Sequence, residues 1–185
     1  MILPIYAYGQ PVLKKVAKPI TKDFEGLEKL LEDMWETMYA ANGVGLAAPQ
    51  IGKSIRIFLV DSKQMMEEGE EDKGIKQAFI NAEMLVEEGK PWPYEEGCLS
   101  IPDITGDVER PSAIKIRYQD ENFETHEMVL TGLNARVVQH EYDHIEGKLF
   151  TEQLKPLKRK MIKRKLEKIR KGDVKASYIM KFRRP

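Results

Sequence analysis

Apolar positions along this chain follow two different periods. Leu27, Leu30, Leu31, Met34 and Met38 recur at three- and four-residue steps, a spacing that gathers side chains on one face of a helix. Thr21 or Asp23 is placed to cap that helix, and Gly43 to end it. Residues 55–60 are a short continuous apolar run and predict a buried strand, and residues 78–81 and 84–86 predict two further short strands. Residues 113–118 and 125–130 alternate around Asp120-Glu121-Asn122, the pattern of a hairpin. Helical spacing returns from about residue 134 to 145. A last helix starts near Pro156, with Leu157, Met161, Leu166 and Ile169 as its apolar positions. Residues 64–74 are acidic and contain Gly69 and Gly74, so they predict a solvated, mobile loop. Short antiparallel strands around a central helix, with a C-terminal helix, give an α+β fold.

With 185 residues the chain can bury one full core, and no internal repeat or linker divides it. Residues 1–150 are expected to form the main body, and residues 151–185 a basic C-terminal helix and tail of the same domain. Hydrophobic residues make up 42% and charged residues 32%, as in ordinary soluble proteins. No segment approaches the roughly 20 apolar residues of a membrane span, and the N-terminus has no signal-peptide pattern. A single cysteine, Cys98, excludes an internal disulfide. Together these features fit a reducing cytoplasm and no membrane partner.

The chemistry concentrates in His140-Glu141-Tyr142-Asp143-His144, which holds two of the three histidines. Four residues apart on a helix, the two imidazoles face the same way and can bind one metal ion, with Glu141 beside the metal rather than on it. A carboxylate there can move protons during hydrolysis of an amide-like bond. A catalytic site of this kind usually takes three protein ligands. Glu152 and Glu167 lie downstream, but no third histidine stands at the usual protease spacing. Cys98 is the other candidate: as a thiolate it would complete a Cys-His-His set and widen the choice of metal toward iron, nickel, cobalt or zinc. The alternatives are a purely structural metal in an RNA-binding protein and a zinc protease with a distant third ligand.

Three segments, in order, resemble the motifs of the bacterial-type peptide deformylases. These are Gly43-Val44-Gly45-Leu46-Ala47-Ala48-Pro49-Gln50, Glu96-Gly97-Cys98-Leu99-Ser100 and Gln139-His140-Glu141-Tyr142-Asp143-His144. The resemblance implies metal-dependent removal of the formyl group from formyl-methionine at the N-terminus of nascent polypeptides. By it, metal-bound water attacks the formyl carbon. Cys98, His140 and His144 are the metal ligands, with Fe(II) favoured and Zn(II), Ni(II) or Co(II) as substitutes. Glu141 is the general acid/base, and Gln50 with the backbone N–H of Leu99 holds the developing oxyanion.

For the substrate, Gly43, Gly45 and Gly97 suggest backbone that an extended peptide approaches, and Val44, Leu133 and Val137 an apolar pocket for methionine. Arg136 is expected to line that pocket with its stem while its head reaches water. Trp92 is expected at the rim, Gln139 and Asp143 behind the ligands, and Arg110 beside Glu95 or Glu96.

Charge is unevenly spread. Residues 151–185 hold 14 Lys/Arg against three acids, a net of +11, which leaves a net of −11 on residues 1–150. From Lys155 to Lys171 there are ten Lys/Arg and one acid, Glu167. Acids spaced for i,i+4 pairing cannot balance that excess. By resemblance this helix would dock on ribosomal RNA, through contacts that salt weakens.

Overall fold

A computed structural model describes residues 1–184; Pro185, the last residue of the expected tail, lies outside them. The elements in chain order are β1 (Ile5–Tyr6), α1 (Leu27–Ala40), β2 (Gly45–Ala47), β3 (Ile57–Asp61), β4 (Lys76–Glu88), β5 (Trp92–Cys98), β6 (Ile101–Arg110), β7 (Ala113–Gln119), β8 (Thr125–Thr131), α2 (Gly132–Ile145), α3 (Pro156–Lys171) and β9 (Met180–Lys181). The fold is α+β. Five antiparallel strands run in the order β2-β3-β4-β7-β8, β5 and β6 form a separate antiparallel ribbon, and β1 pairs with β9 in parallel.

The continuous apolar run in β3 reflects burial on both faces of the sheet. Phe58 and Val60 pack with Phe79, Ile114 and Ile116 against Ala135, Val138 and Ile145 of α2. Ile57 and Leu59 point to the opposite face, against Leu30, Leu31, Met34 and Met38 of α1. The sheet is therefore sandwiched between the two helices. A third cluster joins Ile101, Ile104 and Val108 of β6 to Phe150, Leu154, Ile162 and Ile169, with Cys98 packed at its edge.

Several sequence expectations change in the structure. The strands expected at 78–81 and 84–86 are one long β4, broken in register between Ile80 and Glu83. Asn81 sits at that break with φ 53°, and its side chain bonds both the N–H and the C=O of Ile20. This tie to a distant segment turns a gap in the pattern into a bulge. Neither Thr21 nor Asp23 caps α1, which starts after Gly26 with no side-chain cap; at the other end the Gly43 N–H donates to Met38 O at 2.9 Å. On α3, Leu157 and Met161 are 73% and 65% exposed. The buried stripe is instead Ile162 and Ile169, with Leu166 partly covered, because only that narrow face meets β6. The acidic side chains Glu67, Glu68, Glu71 and Asp72 are exposed as expected. The base of their loop is nonetheless closed, since the Ser62 N–H donates to Ile75 O and Ser62 Oγ meets Asn134. Among the described residues no helix is long and apolar enough to cross a membrane.

Candidate metal centre and active-site cleft

The sequence brings three separated segments to one place. Helix α2 carries His140 and His144 one turn apart, with their rings 5.2 Å between centroids. The end of β5 carries Cys98. One ligand atom each from Cys98, His140 and His144 lie within 4.8 Å of one another, and Cys98 Sγ stands 3.4 Å from His144 Nε2. Glu152 and Glu167 do not join them: Glu152 bonds the Leu149 N–H and Lys14, and Glu167 pairs with Arg170.

The partners of the imidazoles decide which nitrogens are free. His140 Nδ1 lies 2.8 Å from Glu96 Oε1, which leaves Nε2 toward the thiol. His144 is buried, its Nδ1 has no partner, and its pKa is held well below the ordinary value by burial and then by the charges of His140 and Arg110. It therefore stays neutral, the form that can ligate a metal. The donor set of one thiol and two imidazoles, converging within 4.8 Å, fits a divalent transition metal.

Behind these groups lies a buried ionic cluster. Glu96 accepts from Arg110 Nε at 2.7 Å and Nη2 at 2.9 Å, from Arg136 Nη1 at 2.9 Å, and faces His140. Burial alone would raise its pKa, but hydrogen bonds from His140 and Arg110 outweigh that and hold the carboxyl well below the usual carboxylate range. Arg110 also reaches Asp143 at 2.8 Å. Its partners are thus Glu96 and Asp143, and not Glu95. Gln139 donates to Pro111 O at 3.1 Å and so ties α2 to the β6–β7 connection.

Arg136 corrects an expectation outright. It is 2% exposed, and its guanidinium does not reach water. It donates to Glu96, to Val108 O at 2.8 Å and to Trp92 O at 2.6 Å, and it stacks over the Trp92 ring at 4.7 Å. Glu96 and two carbonyls attract the head inward, where full desolvation is tolerable only with such partners. Trp92 consequently packs under Arg136, and it is Tyr94 that lines the cleft.

Glu141 is buried beside the donors, with Oε2 unpartnered and Oε1 4.0 Å from His140 Nε2. Burial pushes its carboxyl up to about 7. Gln50, in a single turn of 3-10 helix after β2, accepts the Ala47 N–H at 3.0 Å on Oε1. That bond fixes the amide so that Nε2 points to Cys98 Sγ at 3.4 Å and Ser100 Oγ at 3.2 Å.

These groups open into a cleft of about 560 Å³. Gly43, Val44, Gly45, Gly97, Leu99, Arg136 and Val137 all border it, whereas Leu133, one helical turn before Val137, does not. A Cβ on Gly43 would stand 2.8 Å from Leu99 Cδ1.

The polypeptide deformylase family model matches residues 2–160. The chain belongs to the peptide deformylase family. A peptide deformylase of Flavobacterium psychrophilum is 52% identical, covering 98% of this chain and 97% of that protein. One from Christiangramia forsetii is 50% identical over 98% and 96% of the two chains. The solved deformylase structure from Legionella pneumophila superposes with a TM-score of 0.80 at 39% identity, covering 94% of this chain and 98% of that one. As a member of this family the chain is a hydrolase, and its strands and C-terminal helix follow the arrangement of the solved deformylases.

Three cleft features escape sequence reading. Glu96 was visible as part of a motif and as a candidate partner of Arg110, but nothing in the pattern says that it faces His140. Tyr94 and the segment 175–178, which also borders the cleft, carry no local signal at all. The third histidine, His126, sits on the β7–β8 hairpin against Asp120 at 2.7 Å, away from the cleft.

Proposed function

We propose that this enzyme removes the formyl group from N-terminal formyl-methionine of nascent polypeptides by metal-dependent hydrolysis, releasing formate. The observation that carries the reading is the Glu141 carboxyl, buried and without a partner on Oε2, beside the converging donors of Cys98, His140 and His144. Those three residues would hold the metal, with Fe(II) as the native ion and Zn(II), Ni(II) or Co(II) as substitutes. Once bound, the ion supplies an acidified water and a positive charge for the carbonyl oxygen.

The chain's own groups supply the rest. Glu141 takes a proton from the attacking water and delivers it to the departing amine; a carboxyl near 7 suits both halves of that task. Gln50 Nε2 and the Leu99 N–H donate to the formyl oxygen as it gains charge. Removing one such donor typically costs on the order of 3–4 kcal/mol. Glu96 keeps His140 in the tautomer that exposes Nε2. Val44 and Val137 offer apolar surface for the methionine side chain, and the Gly43–Gly45 backbone, which leads into the edge strand β2 of the five-stranded sheet, offers pairing to an extended peptide. The exposed Lys and Arg side chains of α3 would dock on ribosomal RNA through phosphate contacts.

The deciding experiment is formate release from a formyl-Met peptide, using protein purified without oxygen and loaded with Fe(II), beside Glu141→Ala. Release by the parent alone supports the reading. No release with one metal bound per chain defeats it and favours a structural metal.

A further inference from the structure

Segments near both ends of the chain, residues 5–8 and 178–182, converge on the turn that follows Cys98. β1 and β9 pair through Ile5 N–H to Ile179 O at 2.9 Å, and the Ala7 N–H donates to Lys181 O at 3.0 Å. Met180 and Phe182 anchor the tail in the third core cluster. From this ribbon two donors reach the turn: the Tyr8 N–H meets Ser100 O at 2.9 Å, and the Tyr178 hydroxyl meets Leu99 O at 2.7 Å. The segment Lys175, Ala176, Ser177 and Tyr178 borders the same cleft as Gly45 and Glu141.

The turn needs such support. The β5–β6 ladder shifts register between Gly97 and Cys98, so regular pairing fails where the thiol and the Leu99 N–H are presented. The termini hold the backbone there in place of the ladder. Burial pushes the Tyr178 hydroxyl up to about 12, so it remains a donor at any working pH.

We propose that Tyr178 is a positioning residue for hydrolysis: its hydroxyl, anchored by the pairing of the two termini, holds the Cys98–Ser100 turn so that Cys98 Sγ and the Leu99 N–H keep their places. The role rests on the deformylase reading above. It makes residues 175–184 part of the catalytic unit rather than a detachable arm.

Tyr178→Phe tests this, because it removes one oxygen and keeps the ring. Deuterium exchange of a peptic fragment containing residues 98–101 is measured on the metal-free and Fe(II)-loaded protein, alongside formate release from a formyl-Met peptide. One hydrogen bond is worth up to about tenfold, so exchange in that fragment should quicken by about that factor, with the sheet fragments unchanged. kcat should fall about fivefold to tenfold while KM changes less than about twofold. If the parent turns over, an unchanged exchange rate or an unchanged kcat in Tyr178→Phe overturns the role. If the parent releases no formate, the deformylase reading fails first and takes this role with it.

Discussion

Gly45 and Glu141 occupy adjoining space so closely that a Cβ on residue 45 would stand 2.5 Å from Oε1 of Glu141. The glycine is therefore required by the carboxylate proposed to move the proton, in addition to any substrate backbone it meets. Gly45→Ala must push the carboxylate off its position or shift β2. Since a positioned acid/base group contributes at least about 100-fold, kcat should drop by up to about that factor with metal content unchanged. Formate-release kinetics beside metal analysis check this.

Glu141→Gln separates chemistry from stability. It should keep the metal and lose about 100-fold or more in turnover, whereas Cys98→Ala should weaken both. In the metal-free protein the folded-state pKa of Glu141, about 7, lies above its ordinary 4.5. The stabilisation it confers is complete below 4.5 and is lost as pH rises through 7. Urea unfolding at a series of pH values should thus show the Gln variant gaining on the parent across that window, by on the order of 3 kcal/mol. A constant difference would mean that the carboxyl titrates normally.

Arg136→Leu removes the cation that Glu96, Trp92 O and Val108 O share. Breaking a buried pair costs about 3–5 kcal/mol, so Tm should fall by on the order of 10 °C. A solvated arginine head would have given almost no change, which calorimetry distinguishes. Arg136→Lys should recover only part of the loss, since an ammonium cannot reproduce the fork that meets Glu96 and both carbonyls.

Glu96→Gln leaves the shape but weakens the hold on His140 Nδ1. Partners of this kind typically change metal affinity about 10-fold to 100-fold. Competition with a chelator should show faster metal loss from the variant than from the parent.

Charge reversal at Lys160, Lys163 and Arg164, all exposed on α3, should abolish co-sedimentation with ribosomes at low salt. Formate release from a free peptide should not change. Sedimentation of the parent across a salt series should show binding weaken steeply as salt rises.

Much of the site was legible because metal ligation on a helix imposes a spacing that survives in one dimension. His140 and His144 had to share a face, and Glu141 had to stand beside them. The central helix, the hairpin and the buried strand were legible for the same reason: burial repeats with the period of the element. The β5–β6 ribbon was not, because Pro93 and a buried carboxylate interrupt the strand pattern: the inward positions of β5 are Trp92, Tyr94 and Glu96, and Glu96 faces the ionic cluster. Arg136 was misread for a related reason, since a charged residue on a helix is ordinarily solvated, and only Glu96 and two carbonyls from other elements hold it inside.

The sequence by itself narrowed the chemistry, because the spacing of His140, Glu141 and His144 suits a metal site on a helix and three motifs resemble those of the peptide deformylases. It also determined the two sides of the central sheet, through the periodicity of α1, β3 and α2. Only the tertiary structure decided which carboxylate faces His140, which carbonyls capture Arg136, and that the chain's two ends meet at the Cys98–Ser100 turn. Those relationships join residues from 28 to 171 positions apart along the chain, and no local pattern records them. They arise because buried polar groups must find partners wherever packing brings them.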